Sequence, residues 1–284
     1  MKIKYNIDLK NFTTIKIGGK CKTMYFPETR SELIELVNKY NIPYILGGGS
    51  NLLISDKCEF DEVICFKQYE KNNIVLNEDE ITVSSGVNLQ KLIVTINKLG
   101  FGGIEYLYSV PGLVGGAIVM NAGRGRGANK QISDYIISVD VLENGKFKTY
   151  YKDECNFEYR NSIFKNSSIL ILSAVFKFDK IIPEEGKIRQ QERLLMCKKF
   201  QDNRYPNAGT TFLMSNARIM NLMKKFTSES SKYGVFFSDK TSNWLQNRGQ
   251  GTYTQAIKLI KTVEFLHKIF FKKYKLEYII WSKK

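Results

Sequence analysis

The spacing of hydrophobic positions changes several times along the chain. From Arg30 to Lys39 the string RSELIELVNK sets Leu33, Leu36 and Val37 on one side of a 3.6-residue turn, which predicts an amphipathic helix. Residues 42 to 46 are then a short apolar run ending in three glycines, the pattern of a buried strand that enters a loop. Further strands are predicted from Asp61 (DEVICF), from Asn73 (NIVL) and from Ile81 (ITVSSG), the last ending at Gly86. Leu89, Leu92, Ile93, Ile96 and Leu99 return to helical spacing, and Gly100 stops that helix. ISVDVLE and KFKTYY flank Asn144-Gly145, a dipeptide that favours a type I′ hairpin, and SILILSAVFKF from Ser168 is the longest strand signal.

Pro183 followed by two acids opens a polar helical stretch suited to a connector. Beyond Tyr205 lie two more helical patterns, Arg218 to Lys225 and Thr254 to Lys272, and a terminal strand LEYIIW. The expected division is a small α/β unit over residues 1–67, a strand-led unit over 68–182, and a connector with a third unit over 183–284.

Composition narrows the function classes. With 284 residues, 43% of them hydrophobic, and 18 Phe and 16 Tyr, the chain has ample apolar surface to fold. Its net charge of +15 first suggests nucleic acid. The lysines are scattered and no zinc-finger, helix-turn-helix or RNP string occurs, so nucleic acid is not an expected partner; a field that gathers anionic small molecules is. Cys21, Cys58, Cys65, Cys155 and Cys197 include no CxxC, which argues against a disulfide framework or a zinc site and suits a reducing compartment. His267 is the only histidine and reads as an ordinary helix residue, so neither a His-based metal site nor a Ser-His-Asp triad is expected. There is no signal-type start and no apolar run of roughly 20 residues, so a cytoplasmic protein without a membrane partner is expected, as a monomer or weak homo-oligomer.

Two glycine clusters carry the candidate chemistry. LGGGSNLLISD, from Leu46, follows a strand and offers side-chain-free backbone to a ligand, although a flexible turn is an alternative. It matches neither GxGxxG nor GxxxxGK[ST]. In YSVPGLVGGAIVMNAG, from Tyr108, Pro111 and Gly112 set a turn and Gly115 and Gly116 open a helix, whose first amides suit an anion. The amide of Asn121 suits a polar heterocycle; close packing of small residues is the structural alternative. Two clusters in neighbouring units point to one large dinucleotide.

IGGK from Ile17, ILGGGSNLLISD, VPGLVGGAIVMNAG and FEYRNSIFK from Phe157, in this order, resemble the UDP-N-acetylenolpyruvoylglucosamine reductase family, in its shorter type. The resemblance implies an α+β chain: a two-subdomain FAD-binding fold of the vanillyl-alcohol-oxidase (PCMH) type followed by a C-terminal α+β substrate domain. It implies that Gly47, Gly48, Gly49, Ser50, Asn51 and Leu52, with Ser109, Pro111, Gly112, Gly115, Gly116, Asn121, Ala122 and Gly123, contact FAD. It also implies that NADPH reduces FAD, that an enolpyruvyl nucleotide sugar of peptidoglycan synthesis accepts the hydride, and that a hydroxyl supplies the proton. Tyr159 and Arg160 match the family's YR pair, with Arg160 placed to hold the substrate carboxylate or the developing enolate; a strand-end ion pair is the alternative.

Departures gather in the third unit. The family string AGS-x-F-K-N-P reads here as NAGTTFLMS, which puts Thr210 at the proton donor and Leu213 and Met214 where a lysine and an asparagine stand. The terminal family motif L-E-P-E-V aligns with LEYIIW either without a gap, placing Ile279 at the catalytic acid, or with a gap, placing Glu277 there; the ungapped form is favoured. In GVFFSDKTSNW, Lys240 is retained as a substrate contact, while Thr241 and Ser242 replace a His and an Ala. The kept motifs serve the flavin and the changed ones the substrate. A paralogue acting on another nucleotide sugar or metabolite, or a non-catalytic flavin binder, therefore stands beside the reductase.

Overall fold

Asn144 and Gly145 both take positive φ, 50° and 74°, and so make the two-residue turn that joins strand Ile136–Glu143 to strand Lys146–Tyr151, with Glu143 opposite Lys146. This hairpin is one edge of a five-stranded antiparallel sheet, in the order Lys146–Tyr151, Ile136–Glu143, Leu170–Phe176, Glu80–Ser84, Ile74–Asn77. The computed structural model describes residues 1–40, 42, 44–124, 129–228 and 233–282. Chain contacts divide it into unit 1 (Met1–Lys4, Met24–Gly48, Glu62–Leu195) and unit 2 (Tyr5–Thr23, Gly49–Asp61, Met196–Lys284).

In unit 1, helices α1 (Arg30–Lys39), α2 (Leu89–Lys98), α3 (Val114–Val119) and most of α4 (Pro183–Phe200) accompany the sheet. Leu89, Leu92, Ile93 and Ile96 of α2 bury one face against Ile81, Val83, Val139 and Ala174 of the sheet. Asn88 caps α2 by accepting from the Lys91 amide at 3.0 Å, and Thr29 caps α1 through Glu32 at 3.3 Å. A second apolar cluster joins Leu33 and Leu36 of α1 to Tyr25, Ile64, Leu113 and Leu172. Strand Ile45–Leu46 runs parallel to the Ile64–Cys65 end of strand Glu59–Cys65.

The connector helix is anchored in unit 1 by a polar network. Glu105, 4% exposed, accepts from the Gly103 amide at 3.1 Å and from Asn97 Nδ2 at 2.7 Å, and faces Arg189 of α4 at 3.6 Å. Gln190 of α4 donates to the Asn97 amide oxygen. Gly186 lies so close to Asn97 that a Cβ there would come within 2.6 Å of its Cγ.

Unit 2 holds a three-stranded antiparallel sheet, Asn207–Thr210, Trp244–Asn247, Val235–Phe237, with α5 (Ala217–Ser228) and α6 (Tyr253–Ile269). Its core contains Ile15, Ile17, Leu53, Phe212, Met223, Val235, Leu245, Ile260 and Val263. Thr252 and Gln255 form a reciprocal capping box that starts α6.

Several expectations are corrected here. The longest of these strands is Ile136–Glu143, not the one from Ser168, which is Leu170–Phe176. The run from residue 42 forms a strand only at Ile45–Leu46; Pro43 lies outside the described residues. LEYIIW is two strands, Lys275–Leu276 and Ile279–Trp281, because each pairs with a different partner, Phe212–Met214 and Leu52–Ile54. His267 is more than an ordinary helix residue: it is fully buried, with Nδ1 2.7 Å from the Val263 carbonyl and Nε2 accepting from the Asn216 amide at 2.8 Å. A carbonyl beside Nδ1 requires a proton there, which leaves Nε2 as the acceptor. His267→Leu strands the Asn216 amide and is expected to lower unfolding stability by about 1–3 kcal/mol in denaturant titration; an unchanged midpoint contradicts this role.

Candidate functional site

The first glycine cluster is shaped by close backbone approach. A Cβ on Gly48 would stand 2.6 Å from the Cα of Gly112, so the two glycine segments meet only because position 48 is bare. Gly49 has φ +69° and packs on the Phe12 carbonyl, and its own carbonyl accepts from the Thr14 amide at 3.1 Å. A Cβ on Gly47, by contrast, would meet nothing within 4 Å.

The second cluster divides in the same way. The Val114 and Gly115 amides donate to the Val87 and Ser85 carbonyls, both at 2.9 Å. These first amides of α3 are therefore spent on the neighbouring segment, and the anion site expected at this helix start is not built from them. Gly115 is buried, and a Cβ there would lie 2.8 Å from the Ser85 Cβ; Gly116 is exposed and a Cβ would meet nothing. Close packing explains Gly115, and open backbone describes Gly47 and Gly116.

Asn121 is fully buried with φ +40°. Its Nδ2 donates to Gln131 Oε1 at 2.6 Å and to the Glu158 carbonyl at 2.9 Å, while Oδ1 accepts from the Ser133 amide at 3.3 Å. The side chain is committed inward, which corrects the expectation that its amide faces a heterocycle. Its carbonyl accepts from Arg160 Nη1 at 3.3 Å, and the Gly123 carbonyl accepts from Arg160 Nη2 at 2.5 Å. Arg160, at φ +57°, thus clamps the 121–123 turn, with its guanidinium 5.4 Å from the half-exposed Tyr159 ring. Ser162 donates to the Val119 carbonyl at 2.8 Å and ties the YRNS turn to the end of α3. Ala122 donates to the Ala117 carbonyl, and Ser109 accepts from Arg193 Nε of α4 at 2.9 Å. Pro111 is exposed.

In unit 2 the structure brings Asn51, Glu277 and the Thr210-Thr211 pair together. Asn51 Nδ2 donates to the Glu277 carbonyl at 3.1 Å, the Ile279 amide donates to the Asn51 carbonyl at 3.0 Å, and the Glu277 amide donates to the Thr211 carbonyl at 2.8 Å. Leu52 leads the strand that pairs with Ile279–Trp281, and Ser50 is half-buried. The two threonine hydroxyls differ in their surroundings. Thr211 is fully buried, accepts from the Leu245 amide at 3.1 Å and lies 3.4 Å from the Tyr278 hydroxyl, whereas Thr210, the last residue of its strand, is half-buried. Burial pushes the Tyr278 phenol well above its ordinary value.

Lys240 sits on a built turn. Asp202, 1% exposed, accepts from Arg204 Nε at 2.9 Å and from the Ser238 hydroxyl at 2.7 Å, and Ser238 Oγ accepts from the Lys240 and Thr241 amides. The Arg204 guanidinium holds the Asp202 carboxyl far below the usual carboxylate range. Lys240 Nζ donates to the Lys198 carbonyl at 2.7 Å and Thr241 to the Phe200 carbonyl at 3.2 Å, so this turn closes the C-terminal end of α4.

The sequence reading missed three groups. In unit 1, the Ser85 and Tyr106 hydroxyls are buried without a hydrogen-bond partner among the described residues, as is the Thr14 hydroxyl in unit 2. A cavity of about 520 Å³ in unit 1 is lined by Gly48, Gly86, Gly112, Asn88 and the lysines Lys67, Lys71 and Lys91. The only sequence signal for Ser85 was a hydroxyl at a strand end beside a glycine; nothing marked the lysines, which lie in separate elements.

Gly115→Ala is expected to destabilise the protein through the Ser85 clash, while Gly116→Ala, in open space, is expected to stabilise it by about 0.5–1 kcal/mol; denaturant midpoints moving in opposite directions check this. Asp202→Asn is expected to cost about 2 kcal/mol near neutrality. Because the folded carboxyl is depressed, its contribution is full above the unfolded value of about 3.9 and is lost as pH falls towards the folded one, so the gap between wild type and variant narrows below about pH 4. A gap that stays constant down to strong acid contradicts the Arg204 pairing.

Residues 24–149 match the family model of an FAD binding domain. The chain is 32% identical over 272 residues to the UDP-N-acetylenolpyruvoylglucosamine reductase of Clostridium novyi (strain NT), covering 92% of this chain and 86% of that one. It is 31% identical over 271 residues to the reductase of the same name from Thermotoga sp. (strain RQ2), covering 93% and 87%. The crystal structure of the UDP-N-acetylenolpyruvylglucosamine reductase from Thermus caldophilus superposes with a TM-score of 0.77 at 26% identity, covering 99% of this chain and all of that one. With an α+β fold, an FAD binding domain and relatives of this identity along nearly its whole length, the chain belongs to the UDP-N-acetylenolpyruvoylglucosamine reductase family.

Proposed function

We propose that this chain is an FAD-dependent oxidoreductase that carries out the reduction its relatives are named for, taking UDP-N-acetylenolpyruvoylglucosamine as substrate and NADPH as donor in peptidoglycan precursor synthesis. The observation that carries the reading is the clamp of Arg160 on the Asn121 and Gly123 carbonyls, in a unit whose Gly47 and Gly116 present open backbone. These residues fit FAD: a ligand can approach the two bare glycines, and the unpaired Ser85 and Tyr106 hydroxyls await a partner. Lys67, Lys71 and Lys91 add a positive wall suited to phosphate charge. Gly47 and Gly116 are assigned to holding the cofactor through open backbone, and Gly48, Gly49, Ser50, Asn51, Leu52, Ser109, Pro111, Gly112, Gly115, Asn121, Ala122 and Gly123 are assigned to shaping the segments that carry them. Bound FAD supplies two-electron hydride chemistry.

Arg160 grips the two backbone carbonyls, and its positive charge serves the substrate carboxylate or the enolate that develops when hydride reaches the double bond. Thr210 is assigned the proton donor, since Thr211 is occupied by Leu245 and Tyr278. Its β-methyl narrows the rotamers of that hydroxyl. On the gapped alignment Glu277 is assigned as the acid of the terminal segment, at a position whose backbone is held by Asn51 and Thr211; on the ungapped alignment Ile279 takes that place and supplies no acid. Tyr159 and Lys240 are assigned to the substrate side. Residues 1–67 and 68–182 make the cofactor-holding part and 183–284 the substrate part.

A second reading has its own support. The lysine and asparagine of the family string are Leu213 and Met214 here, and Lys240 Nζ rests on the Lys198 carbonyl, so the cations for this substrate are reduced. Anaerobic NADPH is expected to bleach the flavin, and UDP-N-acetylenolpyruvoylglucosamine to restore the colour; bleaching without recovery assigns another substrate, and no bleaching removes the nicotinamide step. Thr210→Ala is expected to slow the reoxidation by about 10²–10⁴-fold while Thr210→Ser is not; equal rates remove Thr210 from proton transfer.

A further inference from the structure

Six consecutive residues at the end of α6, Lys268, Ile269, Phe270, Phe271, Lys272 and Lys273, are all exposed. Phe271 is 95% exposed, the extreme among the large hydrophobics of the described residues, with Phe270 and Ile269 about half exposed. Phe271 also takes φ +50°. The Lys272 amide donates to the His267 carbonyl at 2.8 Å and the Phe271 amide to the Lys268 carbonyl at 3.1 Å, which is a Schellman closure with Phe271 at the left-handed position. Glycine suits that position on backbone grounds, and a polar residue suits it on solvation grounds. A phenylalanine there is unfavourable on both counts, which points to a contact that rewards the ring.

Charge indicates what that contact is. Residues 268–275 contain Lys268, Lys272, Lys273 and Lys275 and no acid, in a chain of net charge +15. A second copy would bring the same lysines face to face, whereas a lipid surface carrying phosphate charge attracts them and offers an apolar layer to the rings. We propose that the end of α6 is a docking site for an anionic lipid surface, with Phe270 and Phe271 entering the headgroup boundary and the flanking lysines engaging lipid phosphates. No described helix is long and apolar enough to cross a membrane, so this is surface attachment. It departs from the sequence expectation of no membrane partner, which rested on the lack of a spanning segment. The assignment is independent of the reaction proposed above.

The test is co-sedimentation of the full FAD-loaded chain with vesicles of equal parts phosphatidylglycerol and phosphatidylcholine, against vesicles of phosphatidylcholine alone. Binding to the anionic vesicles at low salt, lost at about 0.5 M salt, is expected. Each of Lys272→Glu and Lys273→Glu should weaken it by about fivefold or more. Phe271→Gly should weaken it by about tenfold while leaving the melting temperature equal or higher, since it removes both the ring and the backbone strain. Equal partition onto neutral vesicles, full binding by Phe271→Gly, or no anionic binding at low salt overturns the proposal. So does a concentration-dependent dimer in sedimentation velocity that Phe271→Gly abolishes, which would assign the patch to a second copy.

Discussion

A methyl group at position 48 would stand 2.6 Å from the Cα of Gly112, and this limit governs how Gly48 and Gly112, both in unit 1, come together. Backbone can approach backbone this closely only where one partner has no side chain. The same device recurs at Gly115 over Ser85. Gly48, Gly49, Gly115 and Gly123 therefore serve close contacts within the chain. Gly47 and Gly116 leave open space where Gly48, Gly49, Gly115 and Gly123 do not, so the bare surface offered to a cofactor is a small part of the sequence that produces it.

Polar groups of the site follow the same division. Asn121, the conspicuous amide of the second motif, spends its side chain on Gln131, Glu158 and Ser133. That leaves its carbonyl as the group Arg160 grips, together with that of Gly123. A planar guanidinium can fasten two carbonyls and still carry its full charge, which a point-like ammonium does less well. The rigidity of the turn and the charge of the site thus come from one residue. The hydroxyls of Ser85 and Tyr106 are the complementary case, buried donors for which the described residues supply no partner.

In unit 2 residues 275–281 tie together distant parts of the chain. Strand Ile279–Trp281 runs parallel to Leu52–Ile54, so the second half of the first glycine motif and the C-terminal segment share one hydrogen-bond ladder. The Glu277 backbone is held between Asn51 and Thr211. Residues more than two hundred positions apart in the chain are thereby fixed at hydrogen-bond range. This is also why the terminal apolar string breaks into two strands: Leu276 and Ile279 answer to different partners.

Local order was legible in the residues because it depends on neighbours within a few positions. Helix α1 matches its hydrophobic period from Arg30 to Lys39, α2 stops before Gly100, and the Asn144-Gly145 turn forms as its φ preferences require. The four family motifs likewise pointed to the cofactor class. What a side chain does was not legible, because it depends on what arrives from elsewhere in the chain. The sequence alone could not tell Gly115 from Gly116, Thr210 from Thr211, or a capping His267 from any helical residue. Each distinction is made by a partner brought within about 3 Å by the tertiary fold: Ser85, Leu245 and Asn216. Periodicity along a chain encodes which face is buried, whereas hydrogen bonding and steric exclusion act over distances that only folding brings about.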